Sequence, residues 1–487
     1  MIQGKLYING TWQDGRGELL SSYDSASGEL LWQAHKASHA DIVDAIDSGQ
    51  KALTSWKKLT VSQRAAFLHR FCIELEKNKA VLAETISQEV GKPLWEARQE
   101  IQAVKGKIDI SIKAYKERTG ERKENFHNHI LRLRHEPHGL CAVFGPFNFP
   151  AHLPQGHIVP ALLAGNTILF KPSEKTARTG ELLVELWHKT RLPHGVLNLV
   201  YGTKEEAKQI IEDPRIKGIY FTGSFQAGQE ILRASLDFPD RIVALEMGGN
   251  NPLVVGTVQN IDAAVLTIIQ SAFVTSGQRC TAARRLIIIE NDASQALLDS
   301  LVRATKKIVV GYYTDRPEPY MGPVISEEAA HGLLAAHIRL LQLGGKSLLE
   351  PTQEKRLVTP GIIDMTGCPA YDEEIFGPLL QCIRVQNLDE AIVCANSTSY
   401  GLSSAILTDI PSEYDRFSDD VRAGVINWNM PTTGASSTMA FGGIGKSGNF
   451  RPSAYYAADY SAYPVVSQEQ IRLQFPRELP PGLEGLY

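Results

Sequence analysis

The sequence predicts an α/β fold made of two doubly wound α/β domains plus a small β oligomerisation element. Three observations carry this. Short apolar runs alternate with helix-like stretches from Cys141 to Leu245. The alternation resumes after Asn251, and two alternating segments, near Ile130 and near Ala462, belong to neither series. Strand–helix–strand spacing is the pattern of parallel sheets joined by crossover helices. With 487 residues, 43% of them hydrophobic, the chain has apolar material for more than one core and too much for a disordered chain.

The elements follow in chain order. Residues 41–116 read as helical: Ile42, Ala45, Ile46 and Leu53 share one face, Leu68, Phe71, Cys72 and Leu75 another, and helix formers continue to Tyr115. Ile130–His135 alternates apolar and basic residues, as an exposed strand does. Strands are then expected at Cys141–Phe144, Thr167–Phe170, Val196–Val200, Gly218–Phe221 and Ile242–Leu245, with helices at Gly180–Lys189 and Lys204–Glu212 between them. In the second series the strands are Arg285–Ile289, Gln381–Arg384, Ala405–Thr408 and Val425–Trp428, and Ala462–Val466 closes the chain. Exposed strands invite pairing with another chain, so Ile130–His135 and Ala462–Val466 are expected to serve oligomerisation; two ordinary edge strands would leave the same pattern.

Charge and composition exclude several classes. Fifty basic against 54 acidic residues give −4, so no global field draws nucleic acid. The N-terminus Met1-Ile2-Gln3-Gly4-Lys5 has no apolar core of a secretory signal. The stretch from His157 to Phe170 is too short for a bilayer and is interrupted by Pro160, Gly165 and Asn166. A cytoplasmic protein with no membrane partner is expected. Its six cysteines are scattered, with no Cys-x-x-Cys pair and no histidine at ligand spacing, which predicts reduced thiols and no metal site.

Several short segments carry chemistry. Leu245-Glu246-Met247-Gly248-Gly249 is followed 34 positions after Glu246 by Cys280, in Ser276-Gly277-Gln278-Arg279-Cys280-Thr281. A thiol nucleophile and a carboxylate base are what a covalent mechanism needs; buried apolar cysteines and solvated glutamates are equally common uses of both residues. Phe144-Gly145-Pro146-Phe147-Asn148-Phe149-Pro150 ends a strand, and the Asn148 amide suits a developing oxyanion or, alternatively, a turn cap. Lys171-Pro172-Ser173-Glu174 ends another, offering a cation and a carboxylate at the ligand-binding end of a sheet, or a plain surface loop. The turn Gly223-Ser224-Phe225-Gln226-Ala227-Gly228 opens a helix after an apolar run, which suits a phosphate as well as a simple strand-to-helix turn.

Taken together and in this order, these segments resemble the aldehyde dehydrogenase superfamily over essentially the whole chain. Glu374-Ile375-Phe376-Gly377-Pro378, Asn396 with Tyr400-Gly401-Leu402, and Phe441-Gly442-Gly443 with Ser447-Gly448 extend the match. Within it, Gly156–Asn166, Leu245–Pro252, Ser271–Thr275, Ile426–Asn429 and Asn449–Tyr455 are most similar to the members that oxidise N-succinylglutamate 5-semialdehyde in arginine breakdown. Asn250 stands where the wider superfamily has Lys, and Ala440 where it has Pro.

The resemblance implies NAD as cofactor and a small anionic semialdehyde as substrate. It implies Cys280, Glu246 and Asn148 as catalytic, with Arg279 and nearby dipoles lowering the Cys280 pKa. Lys171, Ser173 and Glu174 would hold the adenine-side ribose, Gly223 through Gly228 (Ser224, Phe225, Gln226 and Ala227 included) the pyrophosphate, and Glu374 and Phe376 the nicotinamide side. Candidates for the substrate carboxylates are Arg451, Arg279, His152, Gln155 and Asn429, Arg451 first because a guanidinium binds carboxylate in two-pronged fashion. Residues 1–116 and 138–248 are expected to form the NAD-binding Rossmann-like domain, 249–445 the catalytic domain, and 117–137 with 459–487 the strands and tail of a homodimer or homotetramer. A dehydrogenase of succinic or glutamic semialdehyde, a CoA-acylating relative and an inactive homologue are the alternatives; CoA-acylating members generally lack the Glu found at 246.

Overall fold

The computed structural model describes residues 2–126, 129–476, 478–483 and 485. Met1 of the expected first domain, and positions 127, 128, 477, 484, 486 and 487 of the expected oligomerisation segments, lie outside the described residues.

The helical region is three helices, His39–Trp56, Val61–Val90 and Leu94–Arg118. Capping decides the breaks. Ser38 with Asp41 and Thr60 with Gln63 form reciprocal caps at the first two N-termini, and Gly91, at φ 92°, ends the second helix ahead of Lys92-Pro93.

The first seven-stranded sheet runs, edge to edge, Ile242–Met247, Ile216–Gly223, Leu140–Phe144, Thr167–Lys171, Leu197–Leu199, Leu6–Ile8, Thr11–Gln13. Its first five strands are parallel. They read as unbroken apolar runs because helices cover both faces; all five residues of Leu140–Phe144 are buried. The chain winds outward from Leu140–Phe144 in one direction and then restarts on its other side with Ile216–Gly223. That reversal leaves a crevice at the carboxyl ends of these two strands.

Two strands of this sheet come from the N-terminus, which the apolar pattern passed over. Leu6–Ile8 and Thr11–Gln13 form an antiparallel hairpin whose turn, Asn9-Gly10, has both residues at positive φ. Asn-Gly between short strands is a strong hairpin signal, so the sheet is mixed at this edge.

The second seven-stranded sheet runs Lys346–Leu349, Gly361–Asp364, Leu379–Val385, Ala283–Ile289, Asn251–Val255, Ser403–Leu407, Val425–Trp428. All pairings are parallel except that of Lys346–Leu349 with its neighbour. The expected strands are present, and Asn251–Val255, Gly361–Asp364 and Lys346–Leu349 add to them.

His129–Pro137 and Ala462–Glu469 pair with each other within the chain, antiparallel over eight residues, and Arg122–Phe126 completes a three-stranded sheet. Just before it, the chain returns to the first sheet. Gly448 bridges to Glu246, and the Asn449 side chain accepts from Leu245 N (3.0 Å) and donates to Val243 O (2.8 Å), so one amide supplies the missing neighbour of the edge strand. Tyr460 then packs in the first core.

Candidate active site

A cavity of about 1100 Å³ opens at the crevice between the two halves of the first sheet and reaches residues attached to the second sheet. Phe144 through Asn148 and Phe221 through Ser224 line it from the two strand ends, and Cys280, Glu374 and Phe376 close it from the side of the second sheet.

Cys280 sits in a loop held from several sides. Thr275, Ser276 and Gly277 carry φ of 56°, 53° and 68° in succession, a left-handed run before the thiol. A Cβ at Gly277 would collide with the Gly377 carbonyl, so the close approach of the two loops needs glycine there. Ser276 Oγ donates to Gly322 O at 2.6 Å. Arg284, almost fully buried, donates to Gly277 O (2.6 Å), Gly377 O (3.1 Å) and Arg279 O (2.9 Å), and so ties the thiol loop to the Glu374–Gly377 segment. Asn251 Nδ2 donates to Cys280 O at 2.7 Å. A loop strained in this way persists only when its surroundings over-determine it.

Glu246 and Asn148 line the same cavity. Both Glu246 oxygens are buried without a well-formed hydrogen bond among the described residues, and burial pushes this carboxyl well above the usual range against the weak pull of nearby Ser453. A carboxyl whose hold on a proton is raised in this way can exchange protons with a neighbouring thiol or water. The Asn148 amide donates one N–H to Gln278 O at 2.9 Å, leaving the other for a ligand. The Asn148 backbone carbonyl accepts from Lys92 Nζ (2.7 Å), which is paired with Glu100 (2.8 Å) while lying over the Phe149 ring. Glu100 also accepts from Ala151 N and His152 N, capping helix His152–Ala164. A buried pair with this many hydrogen bonds fixes geometry, since losing either partner would strand the other charge at about 3–5 kcal/mol.

The cavity's other arm fits a dinucleotide. Lys171 ends strand Thr167–Lys171 as a buried amine whose sole hydrogen bond among the described residues is a long one, 3.4 Å, to Pro172 O, which leaves donors for a diol or phosphate. Burial lowers its pKa and Glu174 opposes this. Ser173, Glu174, Gly223, Ser224, Gln226 and Ala227 line this arm, with Ser224 capping helix Phe225–Ala234. Phe225 and Gly228 stand outside the lining. Gly228 instead faces Met247, whose sulfur a Cβ there would strike, so this glycine lets the helix lie against the strand. Glu374 accepts from Gly249 N at 2.9 Å beside Phe376.

The residues expected to receive carboxylates are dispersed. His152 lines the cavity, with its Nδ1 buried and unpartnered. Arg279 is held by Glu96 (2.8 Å) and Thr275 (2.7 Å). Gln155 is fully buried and accepts from Trp187 at 3.2 Å. Asn429 spends its amide on both backbone groups of Thr408. Arg451 is exposed, donates to the neighbouring Phe450 O, and does not line the cavity.

Lys92, Glu100, Arg284, Asn251 and Asn449 escaped sequence reasoning. Arg284-Arg285 inside an apolar strand pattern was the available signal, because a charge in a buried strand needs dedicated partners.

Arg279 does not set the Cys280 thiol. Burial, Glu246 and Glu374 together push it up to about 12, against Arg284 and Arg279. The expected lowering is therefore reversed: burial and two carboxylates outweigh two cations already committed elsewhere. Thiolate is then scarce at pH 7 and grows about tenfold per pH unit. Alkylation of Cys280 by iodoacetamide, read by peptide mass spectrometry, is expected to accelerate about tenfold per unit from pH 7 to 9. A plateau by pH 8 would mean that the ligand-free chain already stabilises the thiolate.

The model of the aldehyde dehydrogenase family matches residues 12–464. Among solved structures, aldehyde dehydrogenase 21 from Physcomitrella patens, in complex with the reaction product succinate, is 25% identical, with 96% of this chain and 98% of that one covered at a TM-score of 0.90. The NADP-dependent glyceraldehyde-3-phosphate dehydrogenase from Bacillus halodurans, complexed with NADP, is 27% identical, covering 97% and 100% at 0.90. The 1-pyrroline-5-carboxylate dehydrogenase from Thermus with bound NAD is 27% identical, covering 96% and 93% at 0.91.

Proposed function

The chain belongs to the aldehyde dehydrogenase family, and from that premise we propose that it oxidises N-succinyl-L-glutamate 5-semialdehyde to N-succinyl-L-glutamate with NAD, through a thioester on Cys280, in arginine catabolism. The observation that carries this reading is one continuous cavity lined by Cys280, Glu246 and Asn148 at one end and Lys171 and Glu174 at the other.

Each residue has work that its position suits. Glu246, with its raised pKa, takes the Cys280 proton and passes it to solvent, and the sulfur attacks the aldehyde carbon. The Asn148 amide and the Cys280 backbone N–H hold the oxyanion, where one donor is worth about 10²–10³ in rate. The nicotinamide, when bound, supplies the hydride acceptor. Glu246 then takes a proton from the water that cleaves the thioester, and the acid leaves. Glu174 suits a ribose diol and repels a 2′-phosphate, which favours NAD over NADP. Six free cysteines, and no helix among the described residues long and apolar enough to cross a membrane, are compatible with a cytoplasmic enzyme. The three-stranded sheet offers open edges for a homodimer or homotetramer.

Succinic semialdehyde is the second reading, favoured by the succinate in the Physcomitrella patens relative. Absorbance at 340 nm decides between them. We expect kcat/KM for N-succinylglutamate semialdehyde to exceed that for succinic and glutamic semialdehydes at least tenfold, with NAD preferred over NADP. A higher value for either shorter semialdehyde would overturn the substrate assignment.

A further inference from the structure

We propose that Lys107 is the carboxylate receptor at the aldehyde end of the cavity, the residue that selects acid-bearing semialdehydes. This rests on the reading of the site as an aldehyde dehydrogenase.

Lys107 occupies a slot where packing alone would place an apolar side chain. The buried stripe of helix Leu94–Arg118 runs Ala97, Ile101, Val104, Ile108, Ser111 and Ala114, and Lys107 lies within it at 6% exposure. A buried ammonium is held there only against a substantial desolvation cost, which an ion pair normally offsets. Lys107 has no ion pair or hydrogen bond among the described residues. The two buried acids of its own helix are engaged: Glu96 by Arg279 and Thr275, and Glu100 by Lys92, Ala151 N and His152 N. Burial brings its pKa down to about 8, with no carboxylate opposing it.

The amine faces open space. Lys107, Gly156, His152 and His157 line the cavity together with Cys280, Glu246 and Asn148. Gly156 has no side chain to cover the amine: a methyl there would sit 3.8 Å from both Cε and Nζ. Burial first, and then the charges of Lys107, Lys92 and Arg279, hold His152 well below its usual range, and the three cations make this corner positive. Of the three cations, only Lys107 lacks a counter-ion. An ammonium with three free donors is completed by a carboxylate, through charge-assisted hydrogen bonds. The occupant is therefore an aldehyde bearing a carboxylate remote from its reacting carbon.

The test compares Lys107→Met, which keeps length and removes charge, with Lys107→Arg, which keeps charge. The ratio of kcat/KM for N-succinylglutamate semialdehyde to that for butanal is expected to fall at least 30-fold in Lys107→Met, chiefly through KM. Lys107→Arg should retain most of it. N-succinyl-L-glutamate should raise the melting temperature of the wild type and not that of Lys107→Met, whose own melting temperature should match or exceed the wild type's. Parallel loss on both aldehydes, or equal stabilisation of both proteins by the diacid, would overturn the proposal. If the wild type oxidises no aldehyde, the dehydrogenase reading fails, and the thermal shift still decides whether Lys107 receives a carboxylate.

Discussion

Cys280→Ser is expected to lower NADH formation by about 10⁴-fold or more, with the fold intact. The sulfur is the only protein nucleophile in the proposed sequence, and a hydroxyl is far harder to ionise than a thiol. A thiol already pushed up to about 12 shows how little the surroundings favour an anion at this position before ligands arrive; an alkoxide would be less favoured still. Loss of the unit's nucleophile removes the whole chemical route, as it does in other covalent enzymes. The change should not disturb the loop, which is positioned through backbone atoms: Asn251 holds the Cys280 carbonyl, and Arg284 holds the carbonyls of Gly277 and Arg279. The melting temperature should therefore stay near that of the wild type. Near-normal NADH formation by the serine variant would remove the covalent scheme.

Glu246→Gln is expected to separate the two halves of the reaction. Its carboxyl sits at the end of the edge strand of the first sheet, buried, with no well-formed hydrogen bond among the described residues. The only change the substitution makes is to remove a proton acceptor, worth about 10²–10⁴ in rate. Steady-state turnover should fall by that amount. A single turnover should still occur, slowed at neutral pH and quicker at pH 9, because the thiol can ionise without help as pH rises. NADH should appear in a burst close to one per chain, and acid-quenched protein should carry the acyl mass on the Cys280 peptide. If turnover falls with neither burst nor acyl adduct, Glu246 acts before the thioester and not after it. Steady-state turnover near that of the wild type would show that another group accepts the proton.

What could be read from the sequence follows from where each element is buried. The central strands were legible because both faces are covered, so that Leu140–Phe144 and Thr167–Lys171 appear as apolar runs bounded by turns. Helix Lys204–Glu212 and strand Val425–Trp428 end where their patterns end. Leu6–Ile8 is three residues long, too short for periodicity, and only its Asn-Gly turn betrayed it. Motifs at strand ends could be placed because strand ends of parallel sheets face a common crevice. Side chains that approach from elsewhere could not. Lys107 belongs to a helix a whole chain segment away, and a lysine at such a spacing ordinarily reaches solvent. Arg451 suits a carboxylate by its chemistry, but its position depends on a bend at Asn449 and Phe450 that no local pattern specifies, and it finishes exposed. Gly228 was read as making room for a phosphate, and it makes room for Met247.

The hydrogen bonds from Asn449 to Val243 and Leu245 also bear on how the enzyme is born. Strand Ile242–Met247, with Glu246 on it, leaves the ribosome some two hundred residues before the amide that seals it. Until that late segment docks, the strand presents an unpaired margin to its surroundings, the kind of surface that snags other nascent chains. Competence and protection against clumping thus arrive in the same closing event of synthesis.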